Sequence, residues 1–116
     1  MNQKEYRDKW KKDNPIYIKL HRIMYRRVYR FRKDNGFGIG MFITEMLGCS
    51  FKEFQLHLEG NWVGDMSWDN HGKIWEVDHI IPLCSDKSLE GFIKLNHYTN
   101  LQPLWTNDNR IKGKKI

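Results

Sequence analysis

Asp78 and His79 stand side by side in the stretch WEVDHIIPL, with Asn100 and Asn109 downstream and a run of cations, Arg110, Lys112, Lys114 and Lys115, at the end. An imidazole titrates near neutrality and can take a proton from water. A carboxylate beside it can hold a hard cation, and an amide oxygen such as that of Asn109 can add a neutral ligand to the same ion. Phosphodiester hydrolysis needs these parts: a deprotonated water, a cation at the phosphate and leaving oxygen, and donors that fix geometry. If the pair lies on a strand, its two side chains point to opposite faces, so they cannot ligate one ion jointly. They can flank a phosphate, with Asp78 as metal ligand on the leaving-group side and His79 as base on the other. One carboxylate and one amide make an open oxygen site, which suits Mg²⁺, with Mn²⁺ or another divalent ion as substitutes, better than resident Zn²⁺.

The only cysteines, Cys49 and Cys84, are far apart, so no CxxC pair and no four-cysteine zinc cage can form. No structural zinc is expected. Cys84, after IIPL, reads as a small buried apolar residue rather than a nucleophile.

The elements around these residues are legible. IWEVDHII is a β-branched run around a polar pair, stopped by Pro82. NLQPLW is a second short strand, and Pro103 within it requires a free edge, as in a two-stranded ribbon. A long connection holding Leu89, Phe92 and Leu95 separates the two. Thr106 is the expected N-cap of a short basic helix, NDNRIKGKK. Upstream, MFITEMLG is a short helix stopped by Gly48, and Ser50 opens the next with Glu53 in a capping box. Phe51, Phe54, Leu58 and Trp62 share one side of that helix as core support, with His57 partly exposed. The Gly, Asn and Trp-rich stretch before Trp75 reads as a loop, and His71 within it has no special claim.

The 116 residues, 40% hydrophobic, fit one folded domain with a partly extended arm, and the fold class is α+β. Residues 1–34 form the basic helical arm, cut from 35–116 by the breaker NGFGIG, which lacks the strand and the GKS/T of a phosphate loop. Lys4 to Lys33 carries 12 of the 20 basic residues. Residues 1–58 hold 13 Lys/Arg against 6 Asp/Glu, residues 59–116 hold 7 against 8, so attraction for a polyanion sits in the first half. After Pro15, at a first-turn position, Ile16, Leu20, Ile23, Met24, Val28 and Phe31 recur at helical spacing with Arg22, Arg26, Arg27, Arg30 and Arg32 between them. The expected partner is DNA, contacted by Arg22, Arg26, Arg27, Arg30, Arg110, Lys112 and Lys114. Tyr17, Tyr25 and Tyr29 suit either stacking at that surface or core packing. An anionic membrane surface is the competing partner, although no apolar run is long enough to span a bilayer. With no apolar signal segment, a reduced, cytoplasmic setting is expected.

The pattern DHIIPL, then NLQPLW, then Asn109 to Gly113 resembles the HNH endonucleases, the ββα-metal or His-Me finger nucleases, over about residues 74–116. LGCSFKEFQLHLEGNW and MSWDNHGKIW also resemble the lead-in of small phage and bacterial members. The resemblance implies a ββα-metal motif behind a helical N-terminal region. It makes Asp78 and Asn109 the metal ligands and His79 the general base, with Asn100 orienting the His79 ring or pinning the loop. It implies a metal-dependent DNA endonuclease leaving 5′-phosphate and 3′-hydroxyl ends, nicking or cutting both strands, as a homodimer or alongside phage packaging machinery. Asn109 stands where many members carry His, and the zinc-stapling cysteines of other members are missing, so Trp62, Trp68 and Trp75 must brace the motif. The alternative is a non-catalytic DNA-binding or packaging-accessory protein on the same scaffold.

Overall fold

A computed structural model describes residues 1–113; Lys114, one of the expected DNA contacts, and Lys115 lie outside them. The chain divides into two compact units, Met1–Gly38 and Ile39–Ile116.

The first unit is two helices, α1 (Gln3–Asp13) and α2 (Pro15–Asn35). Asn2 caps α1 by accepting the Glu5 N–H, and the helices part at Asn14, where Pro15 has no N–H to continue the ladder. Trp10 packs edge-on against Tyr17 across that break, ring centroids 5.0 Å apart. Leu20, Met24 and Phe31, at spacings of four and seven, are the buried residues of α2. Gly36, with φ of 80°, closes the helix by donating to the Arg32 carbonyl.

The second unit is α+β. In chain order it holds α3 (Ile43–Leu47), α4 (Phe51–Gly60), β1 (Trp75–His79), α5 (Leu89–Leu95), β2 (Leu101–Trp105) and α6 (Thr106–Lys112), with 3₁₀ turns at Trp68–Asn70, Leu83–Ser85 and Tyr98–Asn100. The capping box read from the sequence forms as expected: Ser50 Oγ accepts from Glu53 N at 3.1 Å, and Glu53 Oε1 accepts from Ser50 N at 3.2 Å. Phe51, Phe54 and Leu58 are buried on one side of α4.

β1 and β2 pair antiparallel in register Trp75↔Trp105, Val77↔Pro103, Asp78↔Gln102 and His79↔Leu101. The sheet has two strands, so Pro103 keeps its bare nitrogen at an open edge. Trp75 is wholly buried and its indole meets Trp62, Trp68 and His71, ring centroids 5.8, 5.4 and 4.8 Å away. Its Nε1 donates to the Ser67 carbonyl at 2.6 Å, and Trp68 Nε1 donates to Glu59 at 2.7 Å. Burying an indole removes about 150–250 Å² from water, about 4–6 kcal/mol at 25 cal/mol per Å². This aromatic cluster, with His71 inside it, braces the start of β1.

Three local expectations are corrected. The connection from β1 to β2, expected as a loop in the order strand, loop, strand, helix, holds the helix α5, which Ser88 caps by accepting the Gly91 N–H and which buries Phe92 and Leu95. Thr106 is the first residue of α6 and not its cap, since Trp105 holds the N-cap position and the Thr106 N–H donates to the Ile74 carbonyl. The ribbon therefore runs straight into the helix, and the buried Thr106 hydroxyl has no hydrogen-bond partner among the described residues. Cys84 is exposed, not buried, because the 3₁₀ turn that carries it lies on the surface, while Cys49 is half-buried.

Candidate active site

Strand alternation does what the sequence requires of Asp78 and His79. Asp78, buried at 8% exposure, shares a face of β1 with Glu76. His79 lies on the other face. On the first side α6 supplies two cross-links: Asn109 Nδ2 donates to Glu76 Oε1 at 2.7 Å, and Lys112 Nζ donates to Asp78 Oδ2 at 2.6 Å. Spacings i, i+2 on the strand and i, i+3 on the helix make these two rungs of one interface. Gln102, opposite Asp78 in the register, adds a second donor to Asp78 Oδ2 at 3.0 Å.

On the second side, His79 Nε2 meets Asn96 Oδ1 at 2.9 Å. Asn96 is wholly buried, and its Nδ2 donates to the Phe92 carbonyl at 2.9 Å. A carbonyl oxygen only accepts, so the amide orientation is determined, Oδ1 faces the imidazole, and His79 must donate through Nε2. The basic nitrogen of His79 is then Nδ1.

Asn100 does not touch the His79 ring. Its Oδ1 accepts from Ile81 N at 2.9 Å, while Nδ2 donates to the carbonyls of Ile81 at 3.1 Å and Leu95 at 2.8 Å. Its backbone carbonyl also accepts the Ile80 N–H at 2.8 Å. Of the two roles open to Asn100, the hydrogen bonds are those of the loop pin: one side chain ties the exit of β1 and the end of α5 to the entry of β2.

Two other histidines support these elements. His57 Nε2 donates to the Leu101 carbonyl at 2.7 Å, fastening α4 to the start of β2. His97 Nδ1 pairs with the Thr99 hydroxyl at 2.8 Å, and its ring lies 4.9 Å from that of Tyr98. Behind the loop, the Ser88 hydroxyl and N–H hold the exposed Asp86 carboxyl below its ordinary range.

The cationic residues expected at nucleic acid fall into different settings. Arg22, Arg26, Arg30 and Arg110 are exposed. Arg27 is half-buried, with Nη1 on Met24 Sδ at 3.6 Å. Lys112 is turned inward: its ammonium bonds Asp78 and also the His79 carbonyl at 2.5 Å. The structure thus adds Glu76, Asn96 and Gln102 to the residues the sequence singled out. Glu76 was legible as the second carboxylate at strand spacing from Asp78. Asn96 carried no signal of its role beside the imidazole, because His79 lies 17 positions away on β1.

Among the described residues no cluster of three or more His, Cys, Asp or Glu side chains is placed to hold a metal ion. The donor set expected here is instead one carboxylate and one amide. Of these two donors, the Asp78 carboxylate bonds the Lys112 ammonium, and the Asn109 amide nitrogen is committed to Glu76, which leaves its oxygen as the remaining donor atom.

The α+β second unit and this polar strand-helix interface define the class to which the chain can be compared. No family model matches the chain, and no solved structure matches it. It is similar to two uncharacterized proteins of Acanthamoeba polyphaga mimivirus. One is 29% identical over 119 residues, covering 100% of this chain and 51% of the relative. The other is 32% identical over 97 residues, covering 81% of this chain and 41% of the relative. The chain thus spans about half the length of the curated relatives it matches or less. No helix among the described residues is long and apolar enough to cross a membrane.

Proposed function

We propose that this chain is a metal-dependent DNA endonuclease of the HNH type, with the two strands and the final helix serving as its ββα-metal motif. The observation that carries this reading is the His79–Asn96 bond, since a buried amide anchored to Phe92 O commits Nε2 to donation and makes Nδ1 the base. In that role His79 Nδ1 takes the proton of the attacking water. Asp78 and Asn109 would hold a divalent ion of the Mg²⁺ type, which when bound supplies positive charge for the phosphate and leaving oxygens. Glu76 orients the Asn109 amide so that its oxygen is the ligand, and Gln102 steadies Asp78. Asn100 ties the exit of β1 to the end of α5. An ion held by Asp78 would take the place of the Lys112 ammonium, which would then be available to the phosphate backbone.

The second reading, a DNA-binding protein without catalysis, draws support from that same Lys112 ammonium, which already neutralises Asp78. Supercoiled plasmid separates the two. The endonuclease nicks or linearises it with Mg²⁺ or Mn²⁺, stops in chelator, and is inactive as His79→Ala. No cleavage with any divalent ion, and plasmid binding indifferent to chelator and to Asp78→Ala, would overturn the endonuclease in favour of the binder. A readout independent of cleavage is the melting temperature of Lys112→Met: it falls in chelator, where Asp78 is left buried with the Gln102 amide but no counter-charge, and Mn²⁺ restores it.

A further inference from the structure

On a helix with about 3.6 residues per turn, the buried stripe of α2, Leu20, Met24 and Phe31, defines an inner side. Tyr25 and Tyr29 lie roughly opposite, 55% and 54% exposed, so core packing does not account for them. They stand i, i+4 apart and form one ridge; Arg26 and Arg30, also i, i+4 apart and exposed, form the next. Between the ridges runs a groove of about 420 Å³ lined by Tyr25, Arg26, Tyr29, Arg30 and Lys33. Arg22 stands one turn before Arg26 and extends the cationic side. The aromatic ridge continues N-terminally through His21 and Tyr17, whose rings follow Tyr25 nearly parallel at centroid spacings of 6.0 and 6.1 Å.

We propose that this groove binds single-stranded nucleic acid, with the arginines and Lys33 along its phosphates and the tyrosine rings against its bases. Charge names a polyanion as the occupant: residues 1–38 hold 12 Lys/Arg against 4 Asp/Glu. The aromatic ridge selects the single strand. A duplex hides its base faces in a stack with about 3.4 Å between steps, whereas the rungs of this ridge rise about 6 Å each, four residues at 1.5 Å. Only a strand whose bases are unstacked can offer a base to each ring, and stacking of that kind adds sequence-tolerant affinity to the electrostatic attraction. The groove stands independently of the nuclease reading and gives the first unit a substrate preference of its own.

The test uses the full chain in chelator, so that cleavage plays no part whether or not the protein is a nuclease. Fluorescence anisotropy compares a labelled 20-nucleotide oligothymidylate, a 20-base-pair duplex, an abasic phosphodiester strand of equal length and vesicles containing phosphatidylserine. The single strand should bind at least about 10-fold more tightly than the duplex or the abasic strand, and Tyr25→Ala with Tyr29→Ala should lose at least about 10-fold on the single strand alone. The pair of Tyr→Phe changes should keep wild-type affinity, since the ring and not the hydroxyl does the stacking. Unchanged affinity in the double alanine variant, equal binding of the abasic strand or the duplex, or capture by vesicles as tight as by the oligonucleotide would each overturn the proposal. The abasic arm needs no variant and holds even if the alanine protein folds poorly.

Discussion

Asn96 is the residue on which the chemistry of His79 turns. Wholly buried between the Phe92 carbonyl and the imidazole, it fixes the tautomer through an amide that has only one way to satisfy both neighbours. On the proposed endonuclease reading, Asn96→Ala should lower the plasmid cleavage rate about 10- to 100-fold, as loss of an outer partner does; it should also lower stability by about 1–3 kcal/mol for the polar group left unsatisfied. Cleavage kinetics and chemical denaturation read the two effects separately; a folded variant cutting at the wild-type rate would remove Asn96 from this role. The cysteines give a second residue-scale prediction. Burial, with Glu53 adding to it, pushes the Cys49 thiol from 9.0 up to about 11. In the unfolded chain the same thiol ionises near its ordinary value, so folded stability is unaffected below pH 9.0 and declines as pH rises from there toward about 11. Alkylation followed by mass spectrometry at pH 8 should modify the exposed Cys84 well before Cys49. Equal rates in the folded protein would contradict the burial of Cys49.

At the scale of elements, the connection between β1 and β2 is held by close approach as much as by hydrogen bonds. Gly48 ends α3 with φ of 79°, and a Cβ there would fall 2.1 Å from His97 Nε2. Gly48→Ala must therefore adopt left-handed backbone, costing about 1–2 kcal/mol, and displace the ring that packs on Tyr98 beside the Asn100 turn. We expect a loss of at least about 2 kcal/mol by denaturant titration. A loss of only about 1 kcal/mol, the backbone cost alone, would mean that His97 moves aside freely. The capping box of α4 and the proline edge of β2 were legible in the sequence because both depend on residues close together along the chain. The reading of Thr106 as a cap failed for a tertiary reason: pairing of Trp105 with Trp75 carries the ribbon to the first turn of α6 and uses the backbone N–H that an open cap would have left for another partner.

Over the whole molecule, charge and the polar site are segregated. Residues 1–38 hold 12 cations against 4 anions, and the remaining 78 residues hold 8 against 10. Nucleic-acid attraction should therefore be controlled from the first unit, while Asp78, His79 and Asn109 belong to the second. Changing Arg22, Arg26 and Arg30 together to Gln should flatten the plot of log affinity against log salt by roughly 2 units for a single strand, about 0.7 for each phosphate no longer neutralised. The same plot for Arg27→Gln should hardly move, since that guanidinium is half-buried on Met24. An unchanged slope in the triple variant would shift the electrostatic footprint away from α2.

The sequence by itself determined the local devices: the helix break at Pro15, the Ser50 box, the two strands with Asp78 and His79 on opposite faces, and the uneven charge. Each follows from periodicity, caps or turn chemistry acting over a few residues. What only the tertiary structure decided is which side chains meet. Asn96 rather than Asn100 holds the imidazole, Glu76 holds the Asn109 amide, and Lys112 faces Asp78 instead of solvent. Those pairs are separated by 17, 33 and 34 positions. They depend on how α5 and α6 pack against the ribbon, and spacing along a chain carries no record of such packing.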